Sequence, residues 1–313
     1  MIQIIGAGAI GCLWLSKLLA SQQPCHLVSR SPHPTNTLQV TDLKGVQHSF
    51  TISHSQQLLN TTKAEQNSTI LVCVKAPQVV TALLMQQVYI RPEQPIILMH
   101  NGYGCAEQVA VHFPHNPIIC ATTANASLLH PITPQKTSLH ITETGVGATF
   151  LGVFDSQHPV SSSVIKPLQK AMYAVFWSEN IIEKCWLKLV INAVINPLTA
   201  IHQINNGALQ EAYYQVTIKA LLIEIVNIAN ADNLHFTLEE LNNTVAQVIQ
   251  ATAENYSSMN RDVFYQRPTE IDYINGYLLS RAEFHGINAP YLKDCYQQIK
   301  ALVDHSSIAV NTL

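Results

Sequence analysis

The sequence predicts an α/β chain in two parts: a doubly wound, parallel-sheet amino-terminal half over residues 1–178 and an all-helical carboxyl-terminal half over 179–313. Three observations predict it. Short apolar runs with strand character alternate with helical periods up to Trp177. A Gly6-x-Gly8-x-x-Gly11 turn lies between the first such run and the first helical period. After Ser178 the apolar period lengthens to that of a helix and strand signals become rare.

Composition bounds the class before any motif does. The chain has 313 residues, 47% hydrophobic and 12% charged, enough for two domains with sizeable cores. A net charge of -3 offers no basic field for nucleic acid or an anionic membrane. The seven cysteines are scattered and no CxxC occurs, which reads as a reduced, cytoplasmic thiol inventory. Fourteen histidines include one close pair, His112 and His115, and Pro114 between them argues for a loop, so no metal is expected. The apolar run Met1 to Ala20 imitates a secretory signal, yet it lacks a basic leader and carries Lys17 and three spaced glycines, so strand, turn and helix are expected. No stretch is expected to be long and apolar enough for a membrane helix.

Ile2-Gln3-Ile4-Ile5 is a buried strand, Gly6-Ala7-Gly8-Ala9-Ile10-Gly11 the turn, and Cys12 to Ser21 a helix with Leu13, Leu15, Leu18 and Leu19 for packing. Glycines at this spacing allow a tight turn and let backbone approach a pyrophosphate at the helix N-terminus. An ordinary glycine turn in a βα unit is the plain alternative. The next strand, His26-Leu27-Val28, ends at Ser29-Arg30-Ser31, where an NAD enzyme would place an acid for the ribose diol. Hydroxyls and the Arg30 guanidinium suit a 2′-phosphate instead, so NADP is preferred; a solvated surface arginine is the alternative.

Pro32 to Lys63 reads as irregular, with β-like pieces at Leu38-Gln39-Val40 and Ser49-Phe50-Thr51-Ile52. Thr69 to Val74 and Pro95 to Met99 are strands whose carboxyl ends carry Lys75 and His100-Asn101-Gly102. Parallel sheets bind ligand beyond that edge, so Lys75 and Asn101 are cofactor or substrate candidates. For Asn101 a structural Asn-Gly turn competes. Pro117 to Thr123 is a further strand, Leu139-His140-Ile141 and Gly147 to Gly152 are extended pieces, Val164 to Met172 is helical, and Ala174 to Trp177 closes the half.

The second half predicts helices near 181–196, 208–232, 237–253, 269–286 and 290–304. Its key stretch is Glu183 to Ala200, where Lys188, Asn192 and Asn196 recur at i, i+4 and i+8 in an apolar helix and so share one face. An ammonium and two amides there cost desolvation energy unless something polar meets them. A ligand-facing wall is the favoured reading over a solvated stripe. Glu270 falls in the first turn of the helix opened by Pro268 and Thr269, where a carboxylate also suits the helix dipole; Asp272 is read as structural.

Gly6-x-Gly8-x-x-Gly11, Val74-Lys75-Ala76, His100-Asn101-Gly102, Lys188-Leu189-x-x-Asn192-x-x-x-Asn196-Pro197-Leu198-Thr199-Ala200, Ser257-Ser258-Met259 and Thr269 to Gly276 together resemble the ketopantoate reductase (2-dehydropantoate 2-reductase) family. The motifs follow the family's order across nearly the whole chain. The resemblance implies a Rossmann-type domain followed by an all-helical domain, with the active site in the cleft. It implies NADPH-dependent reduction of ketopantoate to D-pantoate in pantothenate and coenzyme A biosynthesis. By motif, Lys188 is the expected catalytic lysine and Glu270 its acidic partner. Asn101, Asn192, Asn196 and Ser258 are expected around substrate, and Gly6, Ala7, Gly8, Ala9, Ile10, Gly11, Arg30, Lys75 and Asn101 around NADP(H). One departure, Cys120 to Ala126, has no His or Gly after its threonines; it bears on cofactor-edge contacts and not on the chemistry.

In the implied mechanism Lys188 polarises the ketone and protonates the alkoxide, and the nicotinamide supplies hydride. Ser258 with backbone donors, or Arg261 or Arg267, would hold the substrate carboxylate, and the resemblance favours Ser258. The partner expected is a small molecule, with neither nucleic acid nor membrane, and the chain a monomer or homodimer. The rival readings are an NADP-dependent reductase of another 2-oxo acid and a non-catalytic NADP-sensing protein on the same scaffold.

Overall fold

A computed structural model describes residues 1–31, 35–59, 68–133, 137–155, 158 and 160–310, with side chains through 303. The apolar run Ile2–Ile5 forms β1, and the glycine turn leads into α1 (Ala9–Ala20). Leu13, Trp14, Leu15 and Leu18 of α1 are at most 2% exposed, each burial contributing roughly 2 kcal/mol. The Trp14 indole N–H donates to Met99 Sδ at 2.8 Å. β2 (Cys25–Val28) pairs parallel to β1.

The chain then makes β3 (Thr37–Thr41) and β4 (Gln47–Thr51), an antiparallel hairpin, before β5 (His54–Ser55) returns to β2. The hairpin turn is built by Asp42, whose Oδ1 accepts from the Lys44 and Val46 amides, and by Gly45 at φ +81°. The stretch expected to be irregular is therefore largely ordered strand; 32–34 and 60–63 lie outside the described residues.

β6 (Thr69–Val72), α2 (Val79–Leu84), β7 (Ile96–Leu98), α3 (Cys105–His112) and β8 (Ile118–Thr123) follow. After them come β9 (Ala126–Leu129), β10 (Leu139–Gly145), β11 (Thr149–Val153), α4 (Lys166–Ala171) and β12 (Val175–Trp177). Among the described residues the strands form two sheets, one in the order β12-β11-β8-β7-β6-β1-β2-β5 and the other β4-β3-β10-β9. In the first, every pairing is parallel except β11 with β8, and β1, β6 and β7 are buried at every residue, as a covered parallel sheet requires.

The second sheet was not anticipated. Its strands alternate: Leu38 and Val40 of β3 sit beside Leu139 and Ile141 of β10 with all four buried, while the residues between them are more exposed. The sheet packs on α1, and Lys17 of α1 forms an ion pair with Glu143 of β10. Pairing between strands about a hundred residues apart carries no local signal, so the segments read only as isolated extended pieces.

The helical half contains α5 (Ile181–His202), α6 (Ala212–Ala231), α7 (Leu238–Ala251), α8 (Ser258–Phe264), α9 (Asn275–Phe284) and α10 (Pro290–Val310). Local chemistry sets several ends. Thr237 and Glu240 form a capping box on α7, and Glu224 of α6 accepts the Tyr291 and Leu292 amides at the start of α10. Asp232 takes Arg281 and His285, tying the end of α6 to α9.

Two expectations are corrected in this half. The short α8 was read only as the polar end of the preceding helix. The helix expected over 269–286 is broken: a 3-10 turn covers Ile271–Tyr273 and α9 begins at Asn275, so Glu270 precedes a short turn and does not sit in the first turn of a long helix. The cause is tertiary, because the Tyr273 carbonyl accepts from the Tyr103 amide at 2.8 Å and is diverted from a helical ladder.

A third correction concerns length and hydropathy. α5 and α6 are both long and apolar enough to cross a membrane by that measure, with 61% and 39% of their apolar windows buried. The apolar residues that α5 brings into the interior of its own unit, such as Leu189, Val190 and Val194, produce the hydropathy.

Met1–His100 with Cys105–Lys184 form one compact unit, and Asn101–Gly104 with Cys185–Leu313 the other.

Candidate active site

In the first unit the glycine turn has the geometry its spacing predicts. Gly6 lies at φ +114°, and a Cβ there would meet Val74 Cγ1 at 2.8 Å. A Cβ on Gly11 would stand 1.9 Å from the Gly6 carbonyl oxygen. Gly8, which caps α1, is different: a Cβ there would find protein no nearer than the Cys73 carbonyl oxygen at 3.7 Å. Gly6 and Gly11 are thus needed by the turn itself, while Gly8 leaves space before the helix N-terminus, the cradle an anionic diphosphate requires. Ala7, Ala9 and Ile10 are partly buried around it.

Lys75 follows β6 at the amino end of a 3-10 turn over Ala76–Gln78. Arg30 is exposed beyond β2; its carbonyl accepts from Gln56 Nε2 at 2.7 Å, and no ion pair engages its guanidinium among the described residues. The Ser29 hydroxyl donates to the Ser31 carbonyl and shapes that corner. The departure at Cys120 to Ala126 forms a closed polar cluster. Asn125 Nδ2 donates to the Thr123 and Thr149 hydroxyls, its Oδ1 accepts from the Gly147 amide, and Ser127 donates to the Ala9 carbonyl beside the glycine turn.

The remaining site residues lie in the second unit. Lys188, Asn192 and Asn196 recur along α5, and Asn196 is 5% exposed. Neither side-chain amide hydrogen-bonds to any described residue, and Asn192 is only partly buried, so both are open to a small polar ligand or to water. Burial pushes the Lys188 ammonium below the usual lysine value, and the Glu270 carboxylate and then Cys185 pull it back up. Glu270 is 7% exposed and its Oε2 accepts from Asn101 Nδ2 at 3.1 Å. Lys188, Glu270 and Asn101 are therefore one electrostatic group.

Sequence reading missed what holds this group. The turn carrying Asn101 docks through Tyr103, whose ring lies 5.9 Å from Trp186 and 4.9 Å from Tyr277. Gly102 lies at φ +85° with a would-be Cβ 2.5 Å from the Tyr273 carbonyl oxygen, so only glycine fits. The signal was present as aromatic residues just beside the quoted motifs, Tyr103, Trp186 and Tyr277, but nothing local says that they meet.

Ser258 opens α8 and is exposed. Its neighbour Ser257 is the structural residue: it caps the helix through the Asn260 amide and accepts from Thr199 Oγ1 at 2.8 Å. Asn260 Nδ2 donates to the Thr199 carbonyl, so α8 starts where α5 passes beyond Asn196. Asp272 is paired, accepting from Tyr296 Oη at 2.6 Å and Lys300 at 3.3 Å. Arg267 is paired with Asp262, and Arg261 stacks on Tyr256.

Comparison with known proteins places this arrangement. Residues 2–156 match the family described as ketopantoate reductase PanE/ApbA, and 180–303 match its C-terminal domain. The chain belongs to the ketopantoate reductase family. A 2-dehydropantoate 2-reductase of Vibrio cholerae is 37% identical over 301 residues, spanning 96% of this chain and 97% of the relative. A crystal structure described as a probable 2-dehydropantoate 2-reductase from Bacillus subtilis superposes with a TM-score of 0.79 at 25% identity, covering 96% of this chain and 99% of that one. A ternary structure of D-mandelate dehydrogenase with NADH and anilino(oxo)acetate shares the fold at a TM-score of 0.84 and 21% identity, covering 98% and 100%. The ketopantoate reductase fold, sheet unit first and helical unit second, is thus the architecture of this chain.

Proposed function

We propose that this protein is an NADPH-dependent 2-dehydropantoate 2-reductase, forming D-pantoate, with residues 1–178 as the NADP-binding domain and 179–313 as the substrate and catalytic domain. One observation supports it most: the Lys188 amine of α5 is coupled electrostatically to the buried Glu270 carboxylate, which in turn accepts a hydrogen bond from Asn101. The match to named 2-dehydropantoate 2-reductases over almost the full chain gives the substrate. Gly6, Ala7, Gly8, Ala9, Ile10 and Gly11 would hold the diphosphate, Arg30 the 2′-phosphate, and Lys75 the adjoining edge. Bound there, the nicotinamide supplies the hydride.

Negative charge grows on the ketone oxygen as hydride arrives, and Lys188 is the donor that meets it. Its lowered proton affinity makes it a better acid than an exposed lysine, and it passes its proton to the alkoxide. The Glu270 carboxylate beside the amine opposes the effect of burial and favours the protonated form. Asn101 fixes the carboxylate that does so. The unpartnered Asn192 and Asn196 amides offer both donors and acceptors to a short hydroxylated acid, and Ser258 a hydroxyl at the start of α8.

Oxidation of NADPH with ketopantoate, run beside 2-oxoisovalerate, which lacks the hydroxymethyl group, tests the proposal. A much higher kcat/KM for ketopantoate is expected. Equal rates with both acids would favour the broader 2-oxo acid reductase, and no oxidation with any 2-oxo acid the non-catalytic NADP-binding alternative.

A further inference from the structure

Pro197 stands inside α5. It has no amide proton, so the carbonyl four residues earlier, that of Ala193, loses its helical donor. That carbonyl lies in the turn between Asn192 and Asn196, and it is not orphaned. Asn275 Nδ2 donates to it at 3.2 Å. Asn275 is wholly buried and is the first residue of α9, five residues after Glu270. Its other atom, Oδ1, is buried with no partner among the described residues. The amide orientation follows from the chemistry, since turning it over would set oxygen against the Ala193 oxygen. An apolar residue of similar size would remove the orphaned oxygen, so retaining Asn sacrifices stability at one atom to supply a donor at the other.

We propose that Asn275 is a positioning residue for the reaction: by replacing the donor that Pro197 removes, it locks the turn of α5 bearing Asn192 and Asn196 to the segment bearing Glu270. This rests on the functional reading above, in which those residues face substrate. The two sides of the group come from chain segments some eighty residues apart, and this amide bridges them directly. Proline at 197 leaves the carbonyl open to the bridge, where an ordinary residue would close it within the helix.

The test is a double-mutant cycle. Asn275→Leu should raise KM for ketopantoate and lower kcat/KM by about tenfold to a hundredfold, the scale at which small misplacements act, while the Kd for NADPH stays unchanged. Adding Pro197→Ala returns a backbone N–H to the Ala193 carbonyl, which satisfies that oxygen within the helix but does not rebuild the bridge, so KM should stay raised. Val245→Ala in α7, matched for the drop in Tm, should leave KM unaltered and so separates positioning from general destabilisation. Asn275→Leu with KM and kcat within twofold of the parent overturns the proposal, as does a folded double variant whose KM returns to that of the parent. If Asn275→Leu alone does not fold, the double variant decides by the same criterion. A parent protein without ketopantoate turnover overturns the functional reading and this proposal with it, and that result is seen before any variant is made.

Discussion

At the residue scale the site depends on a half-buried amine. Because burial lowers its proton affinity, the folded state holds Lys188 at a penalty whenever it is charged. Lys188→Met is therefore expected to raise Tm by a few degrees while lowering turnover about a hundredfold or more, a trade common where function needs an uncomfortable group. The sign with pH follows from proton counting. The folded pKa lies below the unfolded one, so between them the unfolded chain binds more proton and stability from this group rises with pH. The gain in Tm from Lys188→Met should thus shrink as pH climbs through that window. Catalysis runs the other way: kcat should fall as the amine deprotonates, with its alkaline limb below the usual lysine value. Since the carboxylate raises the amine's pKa, Glu270→Gln should move that limb to lower pH. A limb that stays in place would separate Glu270 from the acid. That Lys188, Asn192 and Asn196 lie along one helix was legible from their spacing, because a helix turns regularly. Glu270 was found by motif but misplaced, because an amide from residue 103 interrupts its helix.

At the element scale two glycine turns do different work. Gly11→Ala would drive a Cβ into the Gly6 carbonyl at 1.9 Å, and the expected result is a markedly lower Tm with loss of NADPH binding by fluorescence titration. Gly102→Ala acts elsewhere. It forces the Asn101 turn away from Tyr273 and breaks the bond to Glu270, so kcat/KM for ketopantoate should fall while the Kd for NADPH is kept. Loss of NADPH affinity in Gly102→Ala would show that the turn does not belong to the catalytic group alone. The first turn could be read from its strand and helix context. The second could not, since its anchors, Trp186, Tyr273 and Tyr277, follow it by more than eighty residues.

At the scale of the whole molecule, ligand linkage and thiol chemistry are the measurable consequences. NADPH should raise Tm by mass action, and Arg30→Ala should lower the NADPH-over-NADH preference by about tenfold, the worth of one charge-assisted contact. Equal weakening of both cofactors would remove Arg30 from the 2′-phosphate. None of the seven cysteines forms a disulfide. Burial pushes Cys12 and Cys295 up to about 12 and Cys25 up to about 11, so these thiols should react slowly with iodoacetamide in the native protein and rapidly once it is unfolded.

Hydrophobic period and glycine spacing were enough to establish an α/β chain with a glycine turn between its first strand and first helix, a helical second half and a polar stripe along its first helix, since each is set by neighbours within a few residues. The four-stranded second sheet, the break before α9, the docking of Asn101 through Tyr103 and the Asn275 bridge to a carbonyl freed by Pro197 were settled only by tertiary contact. In each, a hydrogen bond or ring contact joins segments far apart in the chain, and its free energy is greater than the local preference it overrides.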